Sequence, residues 1–128
     1  MLYIDFETYS ECNIKKADAY TYAKHKSTRV ICYALVFNDT RLSELSDHLP
    51  DDIVGLIEND RVKIYAWNAI FESYILKYVL KLDVKINQMI DLASIAVYLN
   101  LPRSLGACSK YMLPDDQGKL DTGTLLIK

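Results

Sequence analysis

The chain opens on an alternation that admits few backbone conformations. Leu2, Ile4 and Phe6 are apolar, and Tyr3, Asp5 and Glu7 stand between them. This period of two over residues 1–8 predicts a β-strand with one buried face. On such a strand Asp5 and Glu7 project from the same side, two residues apart. Carboxylates held that close repel one another, and a cation between them relieves the repulsion. Oxygen ligands of this kind suit Mg²⁺ or Mn²⁺ rather than softer metals. The alternative is an edge strand whose polar residues simply meet water. The polar stretch from Tyr9 to Asn13 follows at once, so the acids stand where a strand runs out into a loop.

The rest of the chain reads as α/β. Residues 17–25 suit a short helix, and the nearly unbroken apolar run Arg29 to Phe37 suits a central strand covered on both faces. Asn38 and Asp39 supply a turn, and Arg41 to Leu45 returns as a third strand. Pro50 marks a first helical position, with Ile53, Leu56 and Ile57 on one face of the helix that follows. Lys63 to Trp67 is the next strand. Asn68 suits the cap of a helix over Ala69 to Leu80, with Phe71, Tyr74, Ile75 and Tyr78 on one stripe. Ile86 to Met89 suits a last short strand. Asp91 to Leu99 is apolar almost all round, which predicts a buried helix. Pro102 stops it, and Ser104 caps another helix to about Met112. Residues 113–118 read as loop, and a helical pattern resumes at Asp121. An antiparallel three-strand meander followed by α/β crossovers predicts an open mixed sheet with helices on both faces.

The length of 128 residues predicts one domain, 1–128, able to bury a core. A net charge of −2 gives the surface as a whole no attraction for nucleic acid. Binding a polyanion then needs bridging metal ions, a local basic patch or a partner domain. Cys12, Cys32 and Cys108 form no C-x-x-C pair and cannot all pair with one another. Without a signal peptide, they predict reduced thiols and a cytoplasmic location. No apolar run is long enough to span a bilayer, so no membrane partner is expected.

Three further acids or acid-bearing segments stand out. Glu72 falls near the start of its helix, where the dipole favours an anion, and it is the helix's only acid. It is either a surface acid or, because it follows a strand end, a member of the crevice that open α/β sheets form there. Asp91 reads as an N-terminal cap, with the same crevice as its alternative. Asp115, Asp116 and Asp121 read as solvated. His25 and His48 lack metal-ligand spacing, no serine or cysteine sits in a nucleophile motif, and the four glycines make no phosphate loop.

Asp5-Phe6-Glu7-Thr8, followed by the segment from Asn68 through Phe71 to Glu72, resembles the first two motifs of the DEDD 3′–5′ exonucleases. The nearest resemblance is to the exonuclease domain of phage-type family A DNA polymerases. The surrounding Ile4 to Ser10, the Tyr22-Ala23 step and Gly123-x-x-Leu126-Ile127-Lys128 add to it, and the resemblance covers essentially the whole chain. It implies a ribonuclease H-like fold and a two-metal mechanism with Mg²⁺ or Mn²⁺. Asp5, Glu7 and Glu72 would be the catalytic, metal-binding carboxylates. Phe6 and Thr8 would lie near the terminal nucleotide, and Asn68 and Phe71 would shape its pocket. The reaction implied is hydrolysis of the terminal phosphodiester of DNA, releasing nucleoside monophosphates. The implied partners are a single-stranded DNA 3′ end and the polymerase module of a parent chain, in proofreading during phage DNA replication.

Two departures qualify the resemblance. Glu72 stands where the broader family usually has Asp, and its extra methylene shifts the oxygens. The third motif, a Tyr or His followed by Asp on a late helix, has only a formal match in Tyr111 to Asp115. Pro114 would break the helix that must present both residues, and the segment comes early in the fold. The expectation is therefore a domain lacking its last helix, truncated at its C-terminus, with Asp91 the first suspect for an additional acid. Beside the exonuclease stand a truncated, inactive remnant serving only as a binding or structural module, and an unrelated α/β domain with coincidental acids.

Overall fold

The structure, a computed structural model, describes residues 1–113. The loop expected beyond Leu113, the helix expected from Asp121, and Asp115 itself lie outside the described residues. The chain forms two units, Met1–Asp91 and Leu92–Lys128.

The first unit is built on β1 (Leu2–Tyr9), α1 (Ala19–Lys24), β2 (Arg29–Phe37), β3 (Thr40–Glu44), α2 (Asp51–Glu58), β4 (Ile64–Ala66), α3 (Ala69–Tyr74) and β5 (Met89–Asp91). The five strands form one mixed sheet in the order β3-β2-β1-β4-β5. β1 pairs antiparallel with β2, and β2 with β3; β1–β4 and β4–β5 are parallel. The chain is thus an α/β protein whose central strand is β1.

The alternation in β1 decides the layering. Leu2, Ile4 and Phe6 enter one core with Tyr33 and Leu35 of β2, Ile64 and Ala66 of β4, and buried residues of all three helices. Tyr3, Asp5 and Glu7 point the other way and are exposed. The same division corrects the expectation for β2. β2 is covered on one face only, with Ile31 and Ala34 exposed, and it lies beside the central strand rather than in its place. Within this unit buried residues of α1, α2 and α3 belong to one core.

Local chemistry explains the connections. Asn38 and Asp39 both take positive φ, 47° and 66°, which is the geometry a two-residue hairpin needs to match the strands' twist. Asp18 caps α1 by accepting from the Thr21 amide at 2.7 Å. α2 starts at Asp51 with Pro50 one position outside it, and it buries Ile53 and Ile57. The helix expected through Leu80 changes character after Tyr74, continuing as a π-helical stretch from Ile75 to Val79. The strand expected over Ile86 to Met89 is instead a 3₁₀ turn, Ile86–Gln88, leading into β5. The reason is Gln88, which is fully buried. Its amide nitrogen donates to the Ile57 and Val62 carbonyls at 2.9 and 3.4 Å, and its oxygen accepts from the Lys85 amide at 2.9 Å. A residue that ties three backbone segments together cannot also keep the extended phase of a strand.

The second unit, in its described part, holds α4 (Leu92–Tyr98) and α5 (Leu105–Met112). α4 is not buried as its composition predicted. Ala93 and Ala96 form its buried stripe, while Ile95, Val97 and Tyr98 are exposed, Tyr98 at 86%. Ser104 caps α5 as expected, its hydroxyl accepting from the Ala107 amide at 3.3 Å. Among the described residues no helix is long and apolar enough to cross a membrane.

Candidate functional site

The site grows from a split in the sheet. β1 and β4 pair only at Leu2–Ile64 and Tyr3–Tyr65, whereas β4 and β5 stay paired through Ala66–Asp91. Beyond Tyr3, β1 has no β4 partner, and the chain leaving β4 turns into α3 beside it. Asn68 makes that turn in the left-handed region, at φ 59° and ψ 51°. It does not cap the helix with its side chain. The cap comes from across the sheet, where the Asp91 carboxylate accepts from the Ala69 amide at 3.2 Å. Asp91 ends β5, immediately before α4, and its carboxylate also serves the start of α3.

α3 then carries Glu72 into the interior, with only 3% of its surface exposed. Its Oε2 is buried without a hydrogen-bond partner. Burial is the main reason its carboxyl is pushed up to about 8; the negative charges of Asp5 and Asp91 add to this, against a lowering by its own backbone amide. Three carboxylates from β1, α3 and β5 are therefore within electrostatic reach of one another. A buried acid without a partner is costly in its charged form, so at neutral pH and without a cation Glu72 holds its proton.

Asp5 and Glu7 share the exposed face of β1, as the alternation predicted. Their cross-strand partners are Ala34 and Cys32. The Cys32 thiol is pushed up by burial first and then by the charges of Glu7 and Asp5, which keeps it protonated. Immediately after Glu7 the β1–β2 register slips, so that Thr8 pairs with Val30 and Ile31 is the extra residue. Such a bulge re-aims the strand end beside the acids.

The other residues singled out from sequence fall elsewhere. Phe6 is 5% exposed and lies in the core, on the face of β1 opposite Asp5 and Glu7. Thr8 is half-buried and hydrogen-bonded to the Tyr22 hydroxyl at 2.9 Å. Phe71 packs its ring against Tyr22, centroids 5.9 Å apart. Asn68 is exposed at the mouth of the turn. Thr8 and Phe71 are thus joined through Tyr22, which is itself buried in the core. Cys32 and the π-helical stretch were not expected. The first could have been found by pairing strands on paper, the second not.

Whether these residues suit a divalent cation turns on Glu72. A buried carboxylate oxygen without a donor, flanked by two further acids, is a donor set of hard oxygens lacking positive charge. That chemistry fits Mg²⁺ or Mn²⁺. As the side chains stand, no three His, Cys, Asp or Glu residues among the described ones are gathered tightly enough to hold one ion.

No family model matches this chain, and no curated protein sequence matches it. The class that fold and site define is an α/β protein with a five-stranded mixed sheet and a carboxylate cluster at the split between β1 and β4.

Proposed function

We propose that the chain is a ribonuclease H-like, metal-dependent 3′–5′ exonuclease module of the DEDD type, acting on single-stranded DNA ends beside a phage-type polymerase. The observation that carries this reading is Glu72, an acid buried without a hydrogen-bond partner for Oε2 and raised further by Asp5 and Asp91. Structural acids in a protein interior are normally satisfied, and strongly perturbed ones mark functional sites. The strand order β3-β2-β1-β4-β5, with Asp5 and Glu7 on β1 and Asp91 at the end of β5, supports it too.

Asp5, Glu7 and Glu72 would hold two Mg²⁺ or Mn²⁺ ions, with Asp91 the additional acid. Cations bound in this way activate water and stabilise the leaving oxygen of an in-line displacement. The chain's own residues do the rest. Glu72 would give up its proton to balance a bound cation, so the carboxylates would be electrostatically balanced only with cations in place. Asp91 fixes the start of α3 through the Ala69 amide, and so fixes where Glu72 stands. Thr8 and Phe71, both half-buried and joined through the buried Tyr22, would stand beside a terminal nucleotide.

The test is degradation of a labelled single-stranded DNA in Mn²⁺. The 128-residue chain alone is expected to be slow or inactive, since Pro114 interrupts its formal match to the third motif, Tyr111 to Asp115, and catalytic members of such a unit act together. A protein carrying this segment together with a Tyr-x-x-x-Asp helix is expected to trim 3′ ends, and Asp5→Ala should abolish the trimming. Trimming that survives Asp5→Ala and Glu72→Ala in that protein would overturn the proposal.

A further inference from the structure

We infer that a second surface of this protein, formed by α1 and the π-helical stretch, binds the phosphates of single-stranded nucleic acid on either side of a tyrosine ridge. Its residues are separate from the carboxylates, and it stands whether or not the carboxylates catalyse.

The ridge is three interlocked rings. Tyr20 meets Tyr78 edge-to-face with centroids 5.3 Å apart, and Tyr74 in the same manner at 5.7 Å; Tyr74 and Tyr78 are 5.8 Å apart. Tyr20 remains 42% exposed. Lysines crown it. The Lys24 ammonium sits 4.9 Å from the Tyr20 centroid and 5.7 Å from that of Tyr78, and Lys77 lies 5.8 Å from the latter. Lys24 also donates to the Tyr20 hydroxyl at 2.9 Å.

A cleft opens on each side of Tyr78. One, about 250 Å³, is lined by Lys24, His25, Lys26 and Lys81 with Tyr78 as a wall. The other, about 190 Å³, is lined by Lys77 and Lys85 with Tyr74 and Tyr78. No acid lines either one among the described residues. Lys85 is the only one of these lysines with a carboxylate in ion-pair range among the described residues, Asp60 at 3.5 Å. In a chain of net charge −2, such a run of cations is a local reversal of sign.

The pattern selects the ligand. Lysines attract phosphate, and aromatic side chains stack unpaired bases without regard to sequence. Cation–aromatic contacts hold the Lys24 and Lys77 heads over the Tyr20 and Tyr78 rings. The alternation of cationic cleft, ring and cationic cleft matches a repeating phosphate–base chain better than an acidic peptide. The clefts are too small for a duplex, whose bases would in any case be unavailable for stacking. A single strand is the occupant that uses both features.

The experiment is fluorescence anisotropy of a labelled oligo-dT of about fifteen nucleotides with the full chain, in EDTA so that no hydrolysis contributes. Binding is expected to weaken with salt. Replacing Lys24, Lys26 and Lys81 together by Ala should weaken it at least about tenfold and flatten the log–log salt slope by about 2, from three lost phosphate contacts. Tyr20→Ala should weaken binding by about tenfold through lost stacking. A control that removes the same charge elsewhere, Arg41, Arg61 and Lys63 to Ala, should leave the affinity within about twofold. All variants change exposed side chains, and melting curves verify that each is folded. The assay holds no divalent ion, so failure of the nuclease reading leaves this result intact. Equal loss in the control triple, no loss in the lysine triple, no binding by wild type, or tighter binding to phosphatidylserine vesicles than to the oligonucleotide would each overturn the inference.

Discussion

Replacing Glu72 by glutamine keeps the side chain's size and removes its titration, which makes the cost of burying this acid measurable. Its carboxyl lies at about 8 in the folded chain against an ordinary 4.5. A raised acid binds its proton more tightly when folded, so its share of stability is complete below about 4.5 and is lost as pH rises through about 8. At about 1.36 kcal/mol for each step in pKa, the full loss amounts to about 5 kcal/mol at most. Local relaxation and water entry reduce it, and a loss of at least about 2 kcal/mol by pH 9 is expected. Against a typical total of about 5–15 kcal/mol for a folded domain, that is a large fraction. The assay is urea unfolding of wild type and Glu72→Gln in EDTA at pH 5, 7 and 9. The variant should be no more stable than wild type at pH 5 and clearly more stable at pH 9. The difference between the two curves isolates this group, since every other titrating residue contributes to both. Parallel curves across the range would refute the claim that Glu72 is a buried acid under charge pressure.

Other consequences follow from single residues. Gln88→Leu keeps the volume but leaves the Ile57 and Val62 carbonyls and the Lys85 amide without their partner, which should cost about 2–4 kcal/mol in urea unfolding. In a chain with Cys12 and Cys108 replaced by Ser, alkylation of Cys32 should be slow at pH 8 and should accelerate when Glu7→Gln removes the nearer charge; an unchanged rate would separate Cys32 from the acids. Ser104→Ala should lower the stability of α5 by about 1 kcal/mol, read as faster amide exchange at Ala107 and its neighbours.

How much was legible in the sequence depended on how local the cause was. The face that Asp5 and Glu7 share follows from a period of two and needed nothing else. The Asn38-Asp39 hairpin and the Ser104 cap were equally readable, because the turn and the cap are satisfied by residues that adjoin them. Expectations missed where the partner is distant. Asn68 was the natural cap by position, yet Asp91, 23 residues further on, supplies the acceptor once β4 and β5 pair. The segment containing Gln88 looked like a strand because its hydrogen bonds to Ile57 and Val62 are invisible locally. α4 looked buried because its composition is apolar throughout, while only its alanine stripe is covered. Glu72 was marked for its place after a strand end. Its burial, which supports the proposed function more than its position does, depends on packing that no local pattern encodes.

The central claim is that Asp5 and Glu72, with their neighbouring acids, form a cation site. Calorimetric titration of Mn²⁺ into the chain at pH 7, repeated in buffers of different ionisation enthalpy, tests it most directly. With Glu72 at about 8, nearly one proton should be released to the buffer for each chain loaded. Both the binding heat and the buffer-dependent proton release should vanish in Asp5→Asn and Glu72→Gln. Binding of the same strength in all three proteins, or binding to wild type with no proton released, would contradict the account.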